Sequence, residues 1–358
     1  MLEARIAIAG LGSTEIEGAI AGLPGARMRA RQIANWTYRK AAAAFEEMTD
    51  LPEDLRAELA NRFFVNPLAV AGRAGSSDGV EKLLVHSGDG QVFECVLLPY
   101  ERRVSCCLST QVGCPMGCAF CATGLGGFER NLSAGEIVGQ YLLLQAESPR
   151  RIGHVVFMGM GEPLLNLPNV LRALKLLHKE VGLSYRHMTV STVGIVPRIL
   201  ELAEARMPIH LALSLHSPID SVRDRLMPVN KRWPVREVIE AMKAYHRATG
   251  RKITIEYLLI ADVTDTPDQA DELSRLLRGV PSLVNLIPFN YVSTEEGFRR
   301  PERSAVRAFR ARLERLGMNV SERVERGSDI AAACGQLAGR HAGRLARRTS
   351  RTGLLALS

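Results

Sequence analysis

Between residues 104 and 316, short apolar runs of strand length alternate with stretches of helix length. This alternation constrains the fold more than any other feature. Strands are expected at Val104–Leu108, His154–Met158, Met188–Ser191, Ile209–Leu215, Ile253–Leu259 and Leu283–Pro288. Helices are expected near Pro168–Lys179, Val196–Ala205, Val235–Thr249, Pro267–Arg278 and Ala305–Leu316. A further helix opens at the capping-box pattern Ser133-Ala134-Gly135-Glu136 and runs to about Gln145. Strand-then-helix repetition argues an α/β protein whose parallel sheet is built by right-handed crossovers. Six such units fall short of a closed eight-unit barrel, so the expected architecture is a partial (β/α)6 TIM-like barrel. Its ligand sites would lie at the C-terminal strand ends.

The flanks read differently. Residues 1–75 are expected to form a small helical N-terminal domain, with a helix start at Pro52 after the cap Asp50. Gly72 to Gly79 has the composition of a linker. The runs Lys82–Val85 and Val92–Leu98, parted by Ser87-Gly88-Asp89-Gly90, signal a hairpin. Linker and hairpin occupy 76–100, the barrel core 101–340 and a basic tail 341–358. From Arg340 to Arg351 there are five arginines and no acid. With a net charge of +8, this favours a polyanionic partner; the bland reading is a solvated end. There is no apolar run long enough to span a bilayer, and Ile6–Gly10 is too short for a secretory h-region. A cytoplasmic protein is expected.

Seven cysteines, several of them clustered, suit metal or redox use better than a disulfide framework. Cys114, Cys118 and Cys121 form a C-x3-C-x2-C run, Cys114-Pro115-Met116-Gly117-Cys118-Ala119-Phe120-Cys121. Thiolates suit iron–sulfur clusters and zinc. A cubane cluster normally takes four cysteines, so three suggest an iron left open to bind a small molecule. Zinc with a fourth ligand elsewhere is the alternative, although no Cys or His pair with finger spacing follows.

The cysteine spacing, with Phe120 before the last thiol, resembles the radical S-adenosylmethionine (SAM) superfamily. The resemblance implies a [4Fe–4S] cluster whose open iron chelates SAM, and one-electron cleavage of SAM to a 5′-deoxyadenosyl radical. Other residues at the expected strand ends fit a ligand rim. Gly159-Met160-Gly161-Glu162-Pro163 follows one strand; its glycines would let backbone approach a ligand, and Glu162 could accept from an amine. Ser191, Ser214-Leu215-His216 and Asn290 end others. Singly, each is more often a turn residue, and His216 more often a structural histidine.

Cys334 follows the last strand, with Gly335 behind it, in a run that suggests an irregular loop. Cys107 lies seven residues before the first cluster cysteine, beside Cys106. If that run is a strand, the two point to opposite faces. Together with Gln111-Val112-Gly113-Cys114, Phe128-Glu129-Arg130-Asn131-Leu132, Met158 to Asn166 and Ala332 to Leu337, these residues resemble the radical SAM RNA adenine C2-methyltransferase family. The resemblance runs from about Leu23 to Gly339 and is loose in the N-terminal helices.

Carried over to this sequence, the family implies cluster ligands Cys114, Cys118 and Cys121. It implies SAM contacts at Gly161, Glu162, Ser191, Ser214, Leu215, His216 and Asn290. Cys334 matches the methyl-accepting cysteine, Cys107 the second essential cysteine and Glu94 a proposed general base. Cys95 has no assigned role. The implied partners are 23S ribosomal RNA, transfer RNA in some members, and an external electron donor such as flavodoxin or ferredoxin; a monomer is expected. The N-terminal helical domain is expected to contact RNA. Two rivals share these motifs. One is a carbon 8 adenosine methyltransferase giving antibiotic resistance. The other is a non-catalytic iron–sulfur RNA-binding protein, which leaves Cys107 and Cys334 without a task.

Overall fold

The structure, a computed structural model, describes residues 5–292 and 296–338. Its centre is a ten-stranded sheet whose strands lie side by side in chain order. They are β1 (Leu68–Gly75), β2 (Glu81–Ser87), β3 (Val92–Pro99), β4 (Val104–Cys107), β5 (Ile152–Phe157), β6 (Met188–Thr192), β7 (His210–Ser214), β8 (Ile253–Leu259), β9 (Ser282–Pro288) and β10 (Val320–Glu322). The pairs from β1 to β4 are antiparallel. From β4 to β10 every pair is parallel. A parallel pair needs a long crossover. Helices supply it: α1 (Ala134–Glu147), α2 (Leu167–Lys179), α3 (Val196–Glu204), α4 (Asp220–Leu226), α5 (Val235–Thr249), α6 (Pro267–Leu276) and α7 (Arg303–Arg315).

The helices are held by amphipathic stripes. In α2, Leu167, Val170, Ala173, Leu174 and Leu177 recur at helical spacing and are all buried. The capping box opens α1 as the sequence implies: Glu136 N–H donates to Ser133 Oγ at 3.2 Å, and Ser133 N–H to Glu136 Oε2 at 2.7 Å. Such a cap contributes about 1 kcal/mol.

The six expected barrel strands are present, with ends that agree to within two residues. Two strands of the large sheet differ from expectation. β10 adds a seventh parallel strand, three residues long, too brief to leave a pattern in sequence. Leu68–Gly75, read as the end of the helical region and the start of a linker, is strand β1. Its alanines and glycines hide the period. As the outer strand of the antiparallel extension it alternates shielded and exposed residues, with few large apolar side chains to mark them.

Upstream lie the helices Ser13–Ala19, Ala26–Ala34 and Glu53–Arg62 and a small parallel pairing of Ile6–Ala7 with Phe63–Phe64. This region sits against α1 and α2. Gly10 and Gly135 approach so closely that a Cβ on Gly135 would lie 3.2 Å from Gly10. Arg172 of α2 binds the Glu15 carboxylate and the Gly10 carbonyl. Among the described residues no helix is long and apolar enough to cross a membrane. The basic tail falls outside the described residues.

Candidate active site

The three clustered cysteines occupy the loop between β4 and α1. That loop is closed at its base by a small antiparallel pairing of Gln111–Gly113 with Phe128–Asn131. Gly113 turns the chain into the loop with φ +76°, and a Cβ there would strike the Gly127 carbonyl. Cys114 N–H then donates to that same carbonyl at 2.7 Å. Gly117 has φ +62°, and Gly124 packs against the Cys118 backbone, where a Cβ would lie 3.0 Å from its nitrogen. α4 backs the loop: Ala119 N–H donates to Leu226 O at 2.9 Å, and Cys118 packs with Leu226 and Met227.

All three thiols line one cavity at the C-terminal ends of the parallel strands. Burial raises each thiol's pKa, and mutual proximity raises those of Cys114 and Cys118 further. Bare thiols therefore stay protonated here, and bound metal is what would draw off their protons. Among the described residues no three His, Cys, Asp or Glu side chains are spaced to share one metal ion. Three soft thiol donors from one short loop are a donor set suited to an iron–sulfur cluster with one iron left open. The donor set and the glycine-cut loop fit a cluster.

Opposite the thiols, strand ends supply polar groups. Glu162 is buried, and burial pushes its carboxyl up to about 7. Its oxygens accept from Leu164 N–H at 3.0 Å and Val193 N–H at 2.9 Å, which fixes the carboxylate toward the cavity. Ser191 and Ser214, on adjacent β6 and β7, lie 3.3 Å apart between hydroxyls. His216 takes the left-handed conformation at φ +61°, a rare backbone state held by its surroundings. Its Nδ1 accepts from Leu258 N–H at 3.1 Å, and its ring meets Phe120 edge-on. Burial, then the Arg223 charge, pushes its pKa down to about 3, so the ring is neutral. Asn290 donates to the Cys334 carbonyl at 3.1 Å, while its buried Oδ1 has no partner. An unpaired buried acceptor on the cavity wall is what a ligand donor would satisfy.

One expected rim residue sits differently. Leu215 does not line the cavity. It follows Ser214, which faces inward, so its side chain points into the core, fully buried. Its carbonyl accepts from Arg223 instead. The glycines of Gly159-Met160-Gly161 border the cavity, but neighbouring chain demands them first. A Cβ on Gly159 would sit 2.6 Å from Ser109 Oγ, and one on Gly161 2.5 Å from Gln111 Cβ.

A second cavity adjoins the first. Val96, Leu98, Tyr100, Cys107, Arg326 and Leu337 border it, and Met158, Asn290, Arg323 and Cys334 border both. Cys107 is paired with Val96 of β3 and Val156 of β5 and faces this space. Burial first, then Cys334, pushes its thiol up to about 12. Cys106 points the other way, fully buried on the side of Tyr141 in α1. Cys95 is likewise fully buried, and burial raises its pKa. Glu94 borders neither cavity: it pairs with Lys82 at 3.0 Å and accepts from Ala338 N–H at 2.9 Å.

Glu256, Asn285, Ser321, Arg323 and Arg223 escaped the sequence reading. Ser214, Glu256, Asn285 and Ser321 are in register across β7 to β10 and form a polar row inside the barrel. Asn285 joins Glu256 at 2.8 Å and Ser321 at 3.0 Å. Arg323, just past β10, closes the row, 3.9 Å from Glu256. Cys334 first, then Glu256 and Cys107, favour its charged form. An acid inside the apolar run Ile253–Leu259 was the available signal. Arg223 is fully buried, and burial pushes its pKa down to about 10. It gathers the carbonyls of Val193 at 2.6 Å and Leu215 at 3.0 Å, bracing the strand ends from behind.

The comparisons with known proteins agree with this geometry. Residues 108–274 match the radical SAM superfamily, and residues 6–65 match the ribosomal RNA large subunit methyltransferase N-terminal domain. A protein of Thermus thermophilus named "Probable dual-specificity RNA methyltransferase RlmN" is 49% identical over 321 residues, covering 88% of this chain and 90% of its own. One of the same name from Thermosynechococcus vestitus is 46% identical over 316 residues, covering 88% and 93%. A crystal structure of a radical SAM methyltransferase from Sphaerobacter thermophilus superposes with a TM-score of 0.90 at 43% identity, covering 94% of this chain and 99% of that one. The chain is a radical SAM enzyme and belongs to the RlmN family.

Proposed function

We propose that this enzyme methylates carbon 2 of an adenosine in 23S ribosomal RNA, and in transfer RNA, by way of a methyl group carried on Cys334. The observation that carries the reading is that Cys334 borders both cavities, with the cluster thiols around one and Cys107 on the wall of the other. A purely structural iron–sulfur protein has no use for that arrangement.

Carbon 2 of adenine has no proton that a base readily removes, so it offers no nucleophile to a sulfonium methyl. A cysteine does. In this proposal Cys334 takes the methyl from one SAM, leaving S-adenosylhomocysteine. Cys114, Cys118 and Cys121 would hold the [4Fe–4S] cluster, and Glu162, Ser191, Ser214, His216 and Asn290 would hold a second SAM. With an electron from an external donor such as flavodoxin or ferredoxin, a bound cluster and SAM would supply 5′-deoxyadenosyl radical chemistry. Cys334 then loses a hydrogen from its methyl, and the methylene carbon bonds to the ring. The ring proton leaves to a base, for which Glu94, set back from both cavities, is the candidate the resemblance implies, and the odd electron passes to a one-electron acceptor, a role the oxidised cluster would fill. Cys107 attacks the Cys334 sulfur, forming a disulfide and breaking the sulfur–carbon bond; the freed carbon takes a proton and becomes the methyl group. Reduction by an external thiol resets the pair. Two SAM are consumed per product. We place this work in the cytoplasm, with the enzyme as a monomer.

The methyl on Cys334 is directly testable. After incubation with SAM, the peptide carrying Cys334 should gain one methyl group in a mass spectrum, and deuterated methyl should shift that gain accordingly. An unmodified Cys334 in an enzyme that still methylates RNA would refute the route. The Glu162 assignment is tested by calorimetry. Glu162→Ala should weaken SAM binding about tenfold or more, as loss of a charged hydrogen bond implies. Iron should remain at about four per chain. Unchanged affinity would remove Glu162 from the SAM site.

A further inference from the structure

Two sequence stretches remain without a task in this reaction: the turn Ser76-Ser77-Asp78-Gly79 and the run Arg326-Gly327-Ser328-Asp329-Ile330. The fold brings them together although about 250 residues separate them. We infer that Asp78 is a positioning residue, and that the β1–β2 turn carrying it latches the Cys334 loop between the two cavities. The inference rests on the proposed role of Cys334 as the reacting thiol.

The latch is built from specific contacts. Asp78 Oδ2 accepts from Arg326 Nε at 3.2 Å and from Gly327 N–H at 3.1 Å. Arg326 also donates to the Asp78 and Pro99 carbonyls. Asp329 accepts from Ser76 Oγ at 2.5 Å and Ser77 N–H at 3.1 Å. Gly327 has φ +68°, and a Cβ there would stand 2.8 Å from Val80, so the loop lies directly on the turn. Farther along, Lys82 Nζ donates to the Ala331 carbonyl at 3.1 Å and pairs with Glu94, which in turn accepts from Ala338 N–H.

The opposite side of the loop is moored to the barrel. Gly335 O accepts from Ala122 N–H at 2.8 Å, and Leu337 O from Thr123 Oγ1 at 2.5 Å, immediately after the last cluster cysteine. Asn290 holds the Cys334 carbonyl. Between these moorings no strand or long helix fixes residues 331–338. The Cys334 sulfur must meet a SAM methyl, an adenine carbon and the Cys107 sulfur in turn. Displacements near 1 Å are costly in such reactions. A loop tethered on both sides confines the sulfur to the line joining those partners. Methyl uptake from SAM asks least of this alignment, and attack on the ring asks most.

The test uses the holoenzyme with Asp78→Asn, Asp78→Ala and, as conservative rescue, Asp78→Glu. Hydrogen–deuterium exchange of the peptide spanning 331–338 should speed up about tenfold in the first two, the factor for losing one charge-assisted hydrogen bond. In those variants kcat should fall with KM for RNA unchanged. Released 5′-deoxyadenosine should exceed methylated nucleoside, because radical formation outruns productive attack. Asp78→Glu should recover at least part of both effects. Unchanged exchange would overturn the latch. Faster exchange with unaltered kcat and unaltered product ratio would overturn the positioning role. Failure of the proposed reaction itself reads differently. Wild-type enzyme would then form no methylated nucleoside and carry no methyl on Cys334, while the exchange data still decide whether the latch exists.

Discussion

Replacing Cys107 by alanine should freeze the enzyme on its RNA. Cys334 and Cys107 face a common cavity, and in the proposed sequence Cys107 is the thiol that severs the bond between Cys334 and the base. Without it, the ring carbon stays linked to the Cys334 sulfur through the methylene. Denaturing gels of Cys107→Ala should show a slow species that collapses on RNase treatment. Cys334→Ala should fail earlier, with no methylated protein, no trapped RNA and product at background. Cys106→Ala should turn over and trap nothing, because that side chain is fully buried on the opposite face of β4, toward Tyr141. Trapping by Cys106→Ala in place of Cys107→Ala would mean that the two residues had exchanged faces. No trapping by either would count against the shared-methyl route.

Removing a cluster thiol should be as severe, and distinguishable. Cys118 is buried against Leu226 and Met227, and burial holds its proton in place. Only a bound metal offsets that cost. Cys118→Ala leaves two thiolates for a cube that needs at least three here. Iron should fall from about four per chain toward zero, and 5′-deoxyadenosine release should drop to background. Retention of full activity with zinc in place of iron would contradict the cluster assignment.

The parallel half of the fold was legible because its strands are buried on both faces and read as continuous apolar runs between amphipathic helices. β1 was not, since alanine and glycine carry no visible period, and β10 is only three residues long. The site was legible where chemistry is local in sequence. The cysteine loop and the Gly159–Pro163 turn announce themselves within a few residues. The polar row of Ser214, Glu256, Asn285 and Ser321 did not, because it exists only through strand register across β7 to β10. Leu215 came from the family resemblance alone, and strand alternation puts Ser214 inward and the Leu215 side chain into the core. Asp78 and Arg326 each looked like ordinary loop residues until the fold joined them.

Proposed carbon 2 methylation of adenosine by a Cys334-borne methyl is tested most directly by isotope labelling. Reconstituted enzyme should be incubated anaerobically with reductant, methyl-deuterated SAM and unmodified 23S ribosomal RNA or transfer RNA, and the RNA digested to nucleosides for mass spectrometry against authentic standards. The expected product is 2-methyladenosine carrying two of the three deuterons, because one is taken from the methyl before it reaches the ring and is replaced from solvent. Deuterium-complete methyl, 8-methyladenosine or no methylated nucleoside would each contradict the proposal.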